Sequence, residues 1–258
     1  MRTEDVTLGY GTDAPVVRGL TLDLPAGAVT AIVGPNGSGK STLLRGMSRL
    51  LPPRDGRVLL DGTDVHRLPA RQLARRLGVL PQGPVTPEGI TVAELVARGR
   101  HPHRGLFAGF SAYDEEAVAG ALRAVGMSEY AGRAVDALSG GQRQRVWIAM
   151  VLAQGTSYLL LDEPTTYLDL AHAVDVMEVV HAAARGGGRT VVAVLHDLTL
   201  AARYADHLVV LKDGTMAARG TPADVLTEEL LADAFGLRAT VVDVGGTPVV
   251  VPDRRVTG

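Results

Sequence analysis

Short apolar runs, alternating or β-branched and each cut off by Gly or Pro, fill residues 2–33. Examples are Val6-Thr7-Leu8, residues 20–24 (Leu-Thr-Leu-Asp-Leu) and residues 29–33 (Val-Thr-Ala-Ile-Val). This pattern predicts strands. The period changes at Lys40, where Leu43, Leu44, Met47, Leu50 and Leu51 fall on one helical face until Pro52-Pro53 ends the run. Residues 57–61 predict a further strand closed by an Asp61-Gly62 turn.

From about residue 70 to residue 153 the character is mainly helical, interrupted by a Pro/Gly-rich stretch at 81–89 and a loop at 99–109. The stretch reads as an inserted helical subdomain. Two continuous apolar runs follow, at 158–161 and 190–195, separated by a helical stretch from about 170 to 184 and the Gly186-Gly187-Gly188 break. Apolar strands alternating with helices predict a parallel sheet covered on both faces. The tail adds a hairpin around Asp213-Gly214, two short helices within 222–234 and a second hairpin around Gly245-Gly246. No repeat, heptad run or low-complexity segment interrupts this order.

Composition narrows the function classes. The chain has 258 residues, 26 Lys plus Arg against 28 Asp plus Glu, and no cysteine. Disulfide scaffolds, thiolate zinc sites and cysteine nucleophiles are therefore excluded. A net charge of −2 argues against naked nucleic acid as a partner. No apolar stretch approaches the roughly 18 to 20 residues that span a bilayer, and the start lacks the basic flank and apolar run of a secretory signal. A cytoplasmic location is expected. Only Lys40 and Lys212 are lysine, so each is informative where it stands.

The strongest chemical signal is the loop Gly34, Pro35, Asn36, Gly37, Ser38, Gly39, Lys40, Ser41, which satisfies Gly-x-x-x-x-Gly-Lys-Ser/Thr after a strand and before a helix and continues into Thr42. Its glycines let successive N–H groups turn toward phosphate oxygens, and the helix presents its positive end to the same anion. Lys40 is expected on the β- and γ-phosphates and Ser41 on Mg²⁺. Residues 158–162 deliver Asp162 and Glu163 at a strand end, where open parallel sheets bind ligands. Asp162 is expected to hold Mg²⁺, and Glu163 to polarise the water that attacks the γ-phosphate. His196 follows the next strand and is expected to touch the γ-phosphate or Glu163. Gln82 carries an amide able to sense Mg²⁺ or that water. Ser139, Gly140, Gly141 and Gln142 form a second glycine turn opening a helix, and so a second anion site. One phosphate loop does not need two such sites within one chain, so this turn is expected to face the nucleotide of another copy.

With these residues in this order, and with residues 167–169 (Tyr-Leu-Asp) between the second turn and His196, the chain resembles the ATPases of ATP-binding cassette (ABC) transporters over residues 2–252. The resemblance implies an α/β phosphate-loop NTPase with a RecA-like parallel-sheet core, an N-terminal antiparallel β subdomain and an inserted α-helical subdomain. It places the ATPase domain at 2–238, with the core and β subdomain at 2–82 and 156–220, the helical signature subdomain at 83–155 and a β extension at 239–258. It implies ATP and Mg²⁺ as ligands, Tyr10 stacked on adenine, and Asp169 communicating across a head-to-tail dimer of two copies. It also implies two transmembrane permease subunits, an extracytoplasmic substrate-binding protein as an indirect partner, and a peripheral place on the cytoplasmic face of the membrane.

Softer strings, residues 99–103, 142–147, 164–170, 195–198 with 201–206, and the end from Phe235-Gly236-Leu237 to Pro252, resemble the branch that imports ferric siderophores. Cobalamin and haem importers are the near alternatives, and a soluble non-transport ATPase the remote one. His101 and His103 show no ligand spacing with the other histidines. Contact with the membrane partner is the reading for that loop.

Overall fold

A strand ends where its apolar run meets a residue that can turn, and this rule sets most boundaries of the fold. The computed structural model describes residues 1–105 and 109–255; residues 106–108 of the expected 99–109 loop and the last three of the C-terminal extension lie outside the described residues. In chain order the strands are β1 (Arg2–Leu8), β2 (Val17–Asp23), β3 (Val29–Val33), β4 (Asp55–Leu60), β5 (Thr63–Asp64) and β6 (Leu77–Leu80). There follow β7 (Tyr158–Asp162), β8 (Thr190–Val194), β9 (His207–Lys212), β10 (Thr215–Gly220), β11 (Leu237–Val244) and β12 (Thr247–Arg255). The helices are α1 (Lys40–Met47), α2 (Ala70–Ala74), α3 (Val92–Ala97), α4 (Ala112–Ala124) and α5 (Gly140–Ala153). The remainder are α6 (Leu170–Arg185), α7 (Leu198–Tyr204), α8 (Pro222–Val225) and α9 (Glu228–Phe235).

The chain divides into two compact units, Met1–Leu68 with Thr190–Gly258, and Pro69–Arg189. In the first, β2-β1-β4-β5 form an antiparallel sheet, and β3 lies between β8 and β9, parallel to both, with β10 antiparallel on β9. Every residue of β3 and β8 is buried, which explains why their sequences run apolar without alternation. β11 and β12 form a separate hairpin on which α9 and α7 pack.

In the second unit β6 and β7 pair in parallel, with Leu80 opposite Leu161. Helices α3, α4 and α5 pack on one another around Leu95, Met127 and Ile148, all essentially inaccessible to solvent. A buried ion pair, Arg100 to Asp114 at 2.8 Å, fastens the start of α4. The Ser111 hydroxyl and then Arg100 hold the Asp114 carboxyl down at about 2.

Two expectations need correction. The first helix stops at Met47 rather than running to Leu51: Ser48 Oγ donates to the Arg45 carbonyl at 3.0 Å, Arg49 turns left-handed (φ 64°), and Leu50 is left 63% exposed. A strand, β6, also lies inside the stretch that reads as helical. Its four residues are too short a run for either period to register, and pairing with β7 decides the matter.

Candidate functional site

The loop of residues 34–42 forms because three glycines do what other residues cannot. Gly34 (φ 151°) lies so close to β9 that a Cβ would collide with the Leu211 carbonyl oxygen. Gly39 (φ 100°) caps α1 left-handed, with a virtual Cβ 3.0 Å from Val17, and Gly37 (φ 78°) turns the exposed tip. Gly214 N–H donates to the Ser38 carbonyl at 3.2 Å, fastening the loop to the β9–β10 turn.

No side chain caps α1, and the positive end of its helix dipole favours an anion there. Lys40 is 5% exposed, and its Nζ donates to the carbonyls of Gly34 (2.9 Å) and Pro35 (2.8 Å). Ser38 Oγ is buried without a hydrogen-bond partner among the described residues. An unpaired buried hydroxyl and a buried ammonium at an uncapped helix start fit a polyphosphate.

Other residues of the first unit gather near this loop. Tyr10 Oη lies 3.4 Å from Thr42 Oγ1 and accepts from Arg45 at 3.1 Å, and the ring is 41% exposed. Arg54, which carries no signal in the sequence, fixes the 10–13 turn by donating to the carbonyls of Tyr10, Gly11 and Asp13. Leu195 N–H donates to the Ile32 carbonyl at 3.1 Å, so Gly34 and the exposed His196 follow matching ends of adjacent parallel strands.

In the second unit the same logic joins different residues. The Leu80–Leu161 pairing sets Gln82 and Glu163 just beyond matching ends of β6 and β7. Asp162 is 2% exposed at the end of β7. Glu163 follows in the left-handed region (φ 53°), a conformation that costs energy for a non-glycine residue and is held where the surroundings impose it. The Thr166 hydroxyl donates to Glu163 Oε2 at 3.0 Å, a contact the sequence reading missed; Thr three residues after Glu was its only signal. Gln144 donates from α5 to the Pro164 carbonyl at 3.1 Å, tying the signature helix to the end of β7.

The second glycine turn starts α5 as expected, but its cap is closed. Ser139 Oγ accepts from the Gln142 N–H at 3.2 Å while Gln142 Oε1 accepts from the Ser139 N–H at 3.0 Å. Asp169 caps α6, accepting from the His172 N–H, whose bond is the main reason its carboxyl sits below the usual range. His103 bonds the Gln154 carbonyl at 2.7 Å rather than pairing with His101.

Residues 17–166 match the model of the ABC transporter family. The chain belongs to that family. As an ABC cassette it binds nucleotide and is an ATPase. It is 52% identical to the ferric enterobactin transport ATP-binding protein FepC of Escherichia coli (strain K12), over 98% of this chain and 93% of that protein. It is 48% identical to the probable siderophore transport system ATP-binding protein YusV of Bacillus subtilis (strain 168), over 98% and 92%. Among solved structures, the dimeric structure of MJ0796, a bacterial ABC transporter cassette, superposes with a TM-score of 0.77 at 28% identity, covering 86% of this chain and 98% of that one. None of the described helices of the cassette is long and apolar enough to cross a membrane.

Proposed function

We propose that this cassette is the ATP-hydrolysing subunit of an importer for ferric siderophores, acting on a separate pair of transmembrane permease subunits from the cytoplasmic face of the membrane. The observation that carries the reading is the uncapped α1 with Lys40 and the unpaired Ser38 hydroxyl buried at its start, in a chain whose relatives are named for siderophore transport. An extracytoplasmic binding protein would deliver the chelate to the permease.

In this reading residues 34–42 bind the phosphates of ATP, Lys40 leaves its backbone carbonyls for the β- and γ-phosphates, and Tyr10 stacks on adenine. Glu163 takes a proton from the attacking water, Thr166 holds its carboxylate, and His196 touches the γ-phosphate. Ser139 to Gln142 meet the nucleotide of a second copy in a head-to-tail dimer, with Asp169 communicating between copies. Closure is favoured because the signature turn gains charge-assisted hydrogen bonds only against a γ-phosphate, and hydrolysis removes that gain.

The donor set suits Mg²⁺: a buried carboxylate and a serine hydroxyl are hard oxygen donors, and among the described residues no group of three His, Cys, Asp or Glu could replace them. Asp162 and Ser41, with Gln82, would hold the ion, which neutralises phosphate charge when bound. The ATPase domain spans residues 2–238 and a β extension residues 239–258 in this reading.

Glu163→Gln is expected to retain ATP binding and to lose turnover by about 10² or more. Hydrolysis at the parental rate would remove Glu163 from the mechanism. The cargo is tested by uptake of radio-iron siderophore into iron-starved cells lacking the chain. Restoration by wild type and not by Glu163→Gln is the expected result. Uptake that never falls overturns the siderophore assignment in favour of haem or cobalamin.

A further inference from the structure

The first unit contains a cavity of about 700 Å³ whose lining includes Leu22, Asp23, Leu24, Thr30, His207 and Arg219. It lies toward the other end of β3 from the nucleotide loop. Thr30 is the second residue of that strand and Gly34 follows its last, which separates the two by about 13 Å at the usual rise per residue.

Strand register puts three polar side chains of this lining on one face. Thr30 is the partner of His207 across parallel β3 and β9. Val209, two residues beyond His207 and so on the same face, is the partner of Arg219 across antiparallel β9 and β10. Thr30, His207 and Arg219 thus line up across three adjacent strands. The remaining positions of β3 and residues 208–211 of β9 are apolar and buried.

A second observation points to a ligand. Thr30 is 1% exposed, and its hydroxyl has no hydrogen-bond partner among the described residues. A buried unpaired hydroxyl opposes folding, and valine would fill the same space without that cost. The side chains of Asp23, His207 and Arg219 likewise have no hydrogen-bond or ion-pair partner among the described residues. A guanidinium fork, an imidazole and a hydroxyl on one face match the oxygens of a carboxylate or phosphate. Asp23 offers an acceptor, and Leu22 and Leu24 an apolar wall.

We propose that this cavity binds a small organic oxyanion. Arg219, His207 and Thr30 meet its carboxylate or phosphate oxygens, and its apolar body lies on Leu22 and Leu24. The site is separate from the nucleotide loop and does not depend on the cargo assigned above.

The test is isothermal titration of the full chain, saturated with ADP so that the nucleotide loop is filled, with benzoate and separately with phenyl phosphate. Binding of one or both at about millimolar Kd or tighter is expected, and the tighter probe identifies the head group. Arg219→Ala should weaken it about tenfold or more, and Arg219→Gln nearly as much. Thr30→Val should weaken it several-fold, leave ADP affinity unchanged and raise the thermal midpoint of the chain without probe. The His207 ring resonances, assigned with His207→Gln, should move during the titration. No binding of either probe at about 10 mM, wild-type affinity in both Arg219 variants, or unmoved His207 resonances would each overturn the site.

Discussion

Two glycine turns each open a helix in this chain, and they treat their leading N–H groups in opposite ways. The turn before α1 has no side-chain cap, buries Ser38 Oγ without a partner and holds Lys40 on two backbone carbonyls. The turn before α5 is exposed at Ser139 and Gly140 and closes on itself through the reciprocal Ser139 and Gln142 bonds. The first is built to be completed by an anion. The second is already satisfied, so a phosphate there must compete with a cap. The proposed roles, a tight phosphate site at the first turn and a contact made and released in each cycle at the second, fit this difference.

Substitutions at the two turns test the contrast. Lys40→Ala should lower ATP affinity by about 10²-fold, read by titration calorimetry, because two charge-assisted phosphate contacts are lost; unchanged affinity would erase the distinction between the turns. Next in size is Gly34→Ala, where the added carbon meets the Leu211 carbonyl; chemical denaturation should show a loss of about 2–3 kcal/mol. Ser139→Ala should cost about 1 kcal/mol of stability, as for any lost N-cap, with the affinity of a single copy for ATP preserved. Smallest is Gly140→Ala, which has open space around the new carbon; it should stabilise the chain by about 0.4–1 kcal/mol. A large loss at Gly140 would mean that the second turn is as tightly built as the first.

Legibility in the sequence followed the range of the interactions. Residues 34–42, the Asp162-Glu163 pair and the 139–142 turn could be read because strand, turn and helix are contiguous in the chain. β6 escaped because its four residues are strand only when paired with β7, nearly eighty residues away along the chain. The early end of α1 escaped because Leu50 keeps the helical spacing while Arg49 has already left the helix. Thr166 and Arg54 were missed because a threonine near a glutamate, or an arginine before a strand, is ordinary until the side chain is seen to hold Glu163 or the turn at Tyr10.

The alternation of strands and helices, the residue types able to bind phosphate, and the strand ends that carry them follow from the sequence, since each depends on neighbours a few residues apart. That Tyr10 lies beside Thr42, and that Gly34 must lack a side chain because Leu211 passes next to it, emerges only in the folded chain. It alone aligned Thr30, His207 and Arg219 around one cavity. Those placements follow from strand register and close packing between segments up to almost 190 residues apart, which no local pattern encodes.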